Sequence, residues 1–185
     1  MKKLLFVFCL LIMTMSAIAQ GKYYSKNAAV DFSASTPLED IEAKSNSGVF
    51  ILDTKTGRIE SSVLVKSFQF ARALMQEHFN ENYLESTKYP KATFKGEITN
   101  LSEVNFKKDG TYKVKVKGTM DMHGVQKEMT TEGTVTVANG KISKASSDFI
   151  IKVADYDIKI PSVVADKIAK EVKVTVNSEL QPLGK

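Results

Sequence analysis

Residues 112–123, YKVKVKGTMDMH, alternate between two kinds of side chain at every step. The even positions are apolar or small, and the odd positions are polar or charged. Because successive side chains of a β-strand point to opposite faces, this alternation predicts a strand with one buried and one solvated face. After the turn His123-Gly124 the alternation resumes with the opposite phase, so that Met129 and Val135 fall on the buried face. Two long alternating runs joined by a short turn with glycine predict an antiparallel hairpin.

The same alternation recurs along the chain and predicts about eight strands in all. It is found at residues 28–32, 48–53, 58–68, 92–98, 149–153 and 172–180. Eight long strands with one apolar face each favour an all-β, closed, antiparallel barrel, because closure leaves no unpaired strand edge. Residues 71–86 and 161–170 space their apolar side chains as helices do, and they predict one or two short α-helices that cover the barrel.

A barrel embedded in a membrane would show a similar alternation, with its apolar face turned to lipid. Such barrels carry girdles of aromatic residues, and the apolar faces of these strands have none. The polar faces are densely charged, as in the lysines at 113, 115 and 117. The pattern therefore favours a barrel with a solvated wall and an apolar interior.

Residues 1–19 have the layout of a cleaved secretory signal peptide. The basic start MKK is followed by a mainly apolar run, and Ala17–Ala19 form a small-x-small cleavage site. We expect cleavage after Ala19, a single mature domain at residues 20–185, and a location in the periplasm or outside the cell. The only cysteine, Cys9, lies in the apolar run, so we expect no disulfide and no thiol chemistry in the mature domain.

The net charge argues against nucleic acid as a partner. Removal of residues 1–19 takes away two lysines and no acidic residue, and the formal charge falls from +5 to +3. The lysines are spread along strands instead of being clustered with aromatic residues that could stack on bases. They are typical of a solvated barrel wall.

The mature domain offers little catalytic chemistry. Its two histidines are His78 and His123, and neither the metal-binding pattern HExxH nor the nucleophile pattern GxSxG occurs. Asp148, Asp155 and Asp157 lack the glycine and the terminal glutamate of a calcium loop. We therefore assign no catalytic residue and no metal ligand. We interpret His123 as a turn-stabilising side chain and His78 as a side chain that packs or caps against the barrel.

The residues leave open whether the barrel interior is hollow or filled. Five inward positions carry side chains too small to fill space: Ala28, Ala92, Gly96, Gly118 and Gly133. Small residues among aromatic and methionine side chains would leave a cavity that can hold one ligand. Alternatively, the glycines relieve bends in strongly coiled strands, and the interior is packed.

Two motifs resemble the conserved patterns of the YceI-like proteins. The first is HFNENYLESTKYPKATF at His78–Phe94, and the second is KGTMDMHGVQK at Lys117–Lys127. The resemblance spans roughly residues 22–180. It implies a lipocalin-like barrel, located in the periplasm or secreted, that binds a polyisoprenoid or another long-chain lipid without catalysis. A charge at Glu128, where the family pattern has proline, puts the ligand in doubt more than the fold.

With this resemblance we expect an apolar lipid inside the barrel as the only cofactor or small-molecule partner. Transient contact with a membrane or a carrier and a homodimer are further expectations. The alternatives are a filled envelope stress or interaction protein and, least favoured, a weak lipid hydrolase. The predicted ligand-binding residues are Val30, Phe32, Val63, Val65, Phe79, Tyr83, Phe94, Ile98, Val114, Val116, Gly118, Met120, Phe149 and Ile151.

Overall fold

The computed structural model describes residues 21–183. The predicted signal peptide lies outside the described residues. The strands are β1 Lys22–Ser33, β2 Glu42–Asp53, β3 Arg58–Leu64, β4 Gln69–Phe70, β5 Lys91–Ile98, β6 Gly110–Met122, β7 Val125–Ala138, β8 Lys141–Lys152, β9 Glu171–Glu179 and β10 Gln181–Pro182. The helices are the α-helix α1 at Ala73–His78, a π-helical turn at Phe79–Tyr83, and 3₁₀ turns at Val65–Ser67, Leu101–Glu103, Val153–Tyr156 and Ser162–Val164. Within this part of the chain, none of the helices has the length and apolar character needed to span a bilayer.

Eight long antiparallel strands close into a barrel, as the alternation predicts. Their order around the barrel is β1-β9-β8-β7-β6-β5-β3-β2, and the pairing of β1 with β2 closes the ring. The short strand β4 pairs with β2, and the short strand β10 pairs with β1. The predicted hairpin is regular from Gly110↔Val137 to Met122↔Val125. Its connection, His123-Gly124, has positive φ at both residues, which is the conformation that two-residue hairpin turns require.

The strand directions give the barrel two different ends. The connections 54–57, 99–109 and 139–140 lie at one end, which we call the closed end. The longer connections 34–41, 65–90 and 153–170, together with the turn 123–124, lie at the other end, which we call the mouth. We call the three long connections at the mouth the covering connections.

The closed end is sealed by apolar packing. Leu101, Val104 and Phe106 from the connection 99–109 belong to or pack against the cluster that fills this half of the barrel. Leu52 in the same cluster is completely buried. The connection is also tied to the β7–β8 turn, since the backbone N–H groups of Asn139 and Gly140 donate to the carboxylate of Asp109. These hydrogen bonds lower the pKa of Asp109.

The two helical predictions have different outcomes. Residues 71–86 form one short α-helix that continues as a π-helical turn. Residues 161–170 do not form the second helix, since the backbone N–H of Ala165 donates to Ser162 O and that of Lys167 to Val164 O, as in 3₁₀ turns. The adjacent β-branched Val163 and Val164 have low helix propensity, which accounts for the difference.

Candidate functional site

A cavity of about 400 Å³ extends from the mouth of the barrel down to side chains of the closed-end cluster, among them Leu52 and Ile59. All eight long strands contribute side chains to its wall, and almost all of that wall is apolar. Its volume falls within the range that small-molecule sites occupy in other proteins, about 300–1,000 Å³. The interior is therefore hollow above the apolar cluster that seals the closed end, and side chains of that cluster form the floor of the cavity.

Twelve of the fourteen predicted ligand-binding residues line this cavity. They are Val30, Phe32, Val63, Val65, Phe79, Tyr83, Phe94, Val114, Val116, Met120, Phe149 and Ile151. Ile98 does not line it, because this residue lies further down β5 in the core of the closed end, where it is 4% exposed. Contact of the twelve residues with a ligand stays a prediction.

Gly118 also lies away from the cavity surface, which corrects the expectation that it opens space there. It faces Gly96 across β5 and β6, and the ring of Phe94 covers the pair. A Cβ atom built on Gly118 would lie 2.4 Å from Lys95 O and 2.6 Å from Phe94 Cζ. The two glycines therefore make room for the Phe94 ring and for close approach of the two strands, and they add no empty volume.

The covering connections supply lining residues that strand alternation does not reveal. Their lining residues are Ala34, Glu39, Ile41, Phe68, Phe70, Met75, His78, Leu84, Val153, Ile158, Ile160, Val164, Lys167 and Ile168. Of these, the helical spacing of residues 71–86 could have found Met75, His78 and Leu84. The helical spacing of residues 161–170 points to Val164 and Ile168, although that segment forms 3₁₀ turns. The others lie in irregular segments, whose side-chain directions have no sequence period.

Four phenylalanine rings hold the α1 segment against the barrel. Phe79 stacks on Phe32 of β1 with 5.4 Å between ring centroids, and it contacts Phe70 at 5.0 Å and Phe68 at 5.8 Å. Tilted and stacked rings at such separations stabilise each other beyond the effect of burial alone. Burial also raises the pKa of Tyr83 at the end of this segment.

Besides the phenol of Tyr83, the ionisable side chains on the cavity wall are Glu39, His78 and Lys167, and all of them belong to the covering connections. Glu39 forms an ion pair with Arg72 at the start of α1. Deeper polar groups bond to each other, as in the 3.1 Å contact between the hydroxyls of Thr131 and Ser147. The wall below the mouth is therefore uncharged, which suits a hydrocarbon chain and not a buried ion.

The backbone pairing of the barrel wall is interrupted between β7 and β8. Their backbone pairing runs from Ala138↔Lys141 to Gly133↔Ser147 and ends there. The halves of both strands nearest the mouth, residues 125–132 and 148–152, do not pair with each other. The wall therefore divides below the mouth at this position.

His123 joins three segments above this division. Its Nδ1 lies 2.8 Å from the backbone carbonyl oxygen of Tyr156, and its Nε2 lies 2.9 Å from Glu85 Oε2. Because a carbonyl oxygen can only accept, Nδ1 donates the first hydrogen bond. Tyr89 packs edge-on against the imidazole at 4.7 Å. The predicted turn-stabilising residue thus links the β6–β7 turn to two covering connections.

Replacement of His123 by asparagine is expected to lower the free energy of unfolding by about 1–3 kcal/mol, because the carbonyl oxygen of the buried Tyr156 loses its hydrogen bond and the exposed Glu85 loses its imidazole partner. Asparagine tolerates the positive φ at this position, so the change isolates the side-chain bonds. Urea unfolding measures the loss, and amide exchange should accelerate in residues 84–90 and 153–157. The matched control is the exposed His78, whose replacement by asparagine should leave both quantities unchanged. Equal stability of the two variants would contradict the linking role.

The described residues form no candidate metal site. Across residues 21–183, no group of three or more His, Cys, Asp or Glu side chains comes together as metal ligands would.

Comparison with known proteins places the barrel in a family. The chain is similar in fold to a polyisoprenoid-binding domain from Saccharophagus degradans implicated in plant cell wall breakdown, with a TM-score of 0.72 and 16% identity over 88% of this chain and 98% of that one. It is also similar to BcnA of Burkholderia cenocepacia, with a TM-score of 0.65 and 17% identity over 83% and 94% of the two chains. Among proteins of curated function, none matches. The model of the YceI-like domain matches residues 20–180, and the chain therefore belongs to the YceI-like domain family.

Proposed function

We propose that the protein binds a long, apolar lipid of the isoprenoid type in the cavity and catalyses no reaction on it. The observation that carries the proposal is the cavity itself, which is sealed below, open at the mouth and lined almost entirely by apolar side chains. Transfer of a methylene group from water into such a site is worth about 0.8 kcal/mol.

The expected affinity follows from the size of the ligand. Larger ligands realise about 0.3 kcal/mol per heavy atom. A lipid of about thirty buried carbons would therefore gain about 9 kcal/mol, which corresponds to a sub-micromolar Kd. No charged anchor inside the barrel is needed for binding of this strength.

The preference for an isoprenoid over other lipids is supported by the family. The Saccharophagus degradans domain, described as polyisoprenoid-binding, shares the fold over most of its length. Methionines line the mouth half of the cavity, among them Met75, Met120 and Met129. Their flexible side chains can adapt to the methyl branches of such a chain.

We further propose that the protein carries or stores this lipid in the periplasm or outside the cell, as the predicted signal peptide implies. A lipid of this kind has almost no solubility in water, so it would come from a membrane or from a carrier. A homodimer is a further part of the same proposal.

The test is mass spectrometry of an organic extract of the protein, purified from its own envelope without detergent. We expect about one polyprenyl lipid per chain. An empty protein that also fails to take up added polyprenol would contradict the proposal and favour a filled interaction protein. If the protein converts the lipid to a product, and if this activity is lost when His78 and His123 are both replaced by asparagine, a hydrolase would be favoured instead.

A further inference from the structure

The most exposed large apolar side chains of the described residues surround the mouth. Val163 is 83% exposed, Leu38 is 64% exposed and Leu74 is 60% exposed. Each belongs to a different covering connection. Single exposed apolar residues are ordinary on protein surfaces, but here the three highest values meet around one opening.

Each of these side chains is the chain neighbour of a residue that lines the cavity. Leu38 precedes Glu39, Leu74 precedes Met75, and Val163 precedes Val164. In these three pairs, one side chain points outward and its chain neighbour lines the cavity. At Leu74–Met75 and Val163–Val164 apolar surface continues from the cavity over the rim to the outside, and a hydrocarbon chain could cross there with little contact with water.

We propose that this rim, formed by Leu38, Leu74 and Val163, docks on the surface of a phospholipid bilayer and that the cavity then opens into the membrane. The inference rests on the proposed function and adds the partner and the docking surface. Side chains that protrude singly from three covering connections suit a fluid bilayer, which adapts to any arrangement. A protein partner or a second copy would need matching pockets for all three.

The charges at the mouth favour apolar insertion over electrostatic attraction. The three covering connections carry six basic and eight acidic side chains, although the whole chain has a net positive charge. The excess of lysine lies instead on strands such as β6, on the barrel wall. Anionic headgroups therefore gain nothing at this end. Docking should not depend on anionic lipid, and should survive high salt.

The experiment is flotation of the purified protein with vesicles of phosphatidylcholine, with and without phosphatidylglycerol. The rim variant Leu38→Ser/Leu74→Ser/Val163→Ser should lose at least about tenfold in vesicle affinity, since three apolar side chains no longer insert. The matched control is Val49→Ser/Ile150→Ser/Leu183→Ser, which removes three exposed apolar side chains from the wall and the closed end and should bind as the parent does. Equal loss in both variants, or binding only to vesicles with phosphatidylglycerol, would overturn the proposal.

A second measurement reports where the membrane touches the protein. The chain has no tryptophan, so Leu74→Trp places a single indole at the rim. Its emission should shift to the blue when phosphatidylcholine vesicles are added, whereas that of Leu183→Trp at the closed end should not. No shift at the rim would contradict docking there.

Binding of soluble short-chain polyprenol to the rim variant separates the two proposals. Intact binding together with lost vesicle affinity supports docking at the rim. If the parent docks on vesicles but binds no polyprenol, the proposed function fails and the docking surface stands.

Discussion

Replacement of Ala92 by tryptophan is expected to abolish lipid binding while the barrel stays folded. Ala92 lies on the inward face of β5, pairs with Val63 of β3 and lines the cavity. An indole at this position would extend into space that is empty in the structure, so strain from overpacking should stay at or below about 1–3 kcal/mol. We expect the Kd for a polyprenol to rise about a hundredfold, which corresponds to about 2.7 kcal/mol.

The control for this variant is Lys95→Trp, which adds the same side chain to the exposed face of the same strand. It should leave the affinity unchanged. The new indole is the only tryptophan in either protein, so blue-shifted emission in the Ala92 variant alone verifies that it lies in the cavity. An Ala92→Trp protein that is folded and binds polyprenol as tightly as the parent would rule out this cavity as the lipid site.

Replacement of Gly118 by alanine is expected to destabilise the barrel strongly, although only one methyl group is added. The new Cβ would approach Lys95 O to 2.4 Å and the Cα of Gly96 to 2.6 Å. Backbone atoms cannot move away as the end of a flexible side chain can, so β5 and β6 would have to separate. We expect the free energy of unfolding to fall by about 2–4 kcal/mol, measured by urea unfolding.

Gly140→Ala is the comparison that isolates the cause. Gly140 has a φ of +69°, and no atom lies within 4 Å of the Cβ that alanine would add. Its loss should be about 1 kcal/mol, the cost of a left-handed backbone for a residue with a side chain. If the two alanine variants lost equal stability, the close approach of β5 and β6 would not explain Gly118.

The comparison of prediction with structure is clearest on β6. Val114, Val116 and Met120 were assigned inward from their alternation alone, and all three line the cavity. Gly118 has the same parity, yet Phe94 of the neighbouring strand covers it. Alternation along a strand predicts which face of the sheet a side chain lies on, but it does not predict which side chains of neighbouring strands cover it.

Ile98 shows the same limit along the length of the barrel. Its inward direction follows from the pattern, but its distance from the mouth depends on which end the connection 99–109 seals. That seal depends on apolar side chains in an irregular loop, and no hydrophobic periodicity in the sequence predicts it.

The eight alternating strands, their inward faces, the β6–β7 hairpin and the short helix α1 can be predicted from the amino-acid sequence. These features depend on side-chain periods of two or 3.6 residues, which are local properties of the chain. Four features became visible only in the three-dimensional structure. They are the pairing of β1 with β2 that closes the ring, the division between β7 and β8, the hydrogen bonds of His123 and the apolar rim. The bonds of His123 and the apolar rim bring together residues that are distant in sequence, whereas the closure and the division depend on strand register that local patterns do not encode.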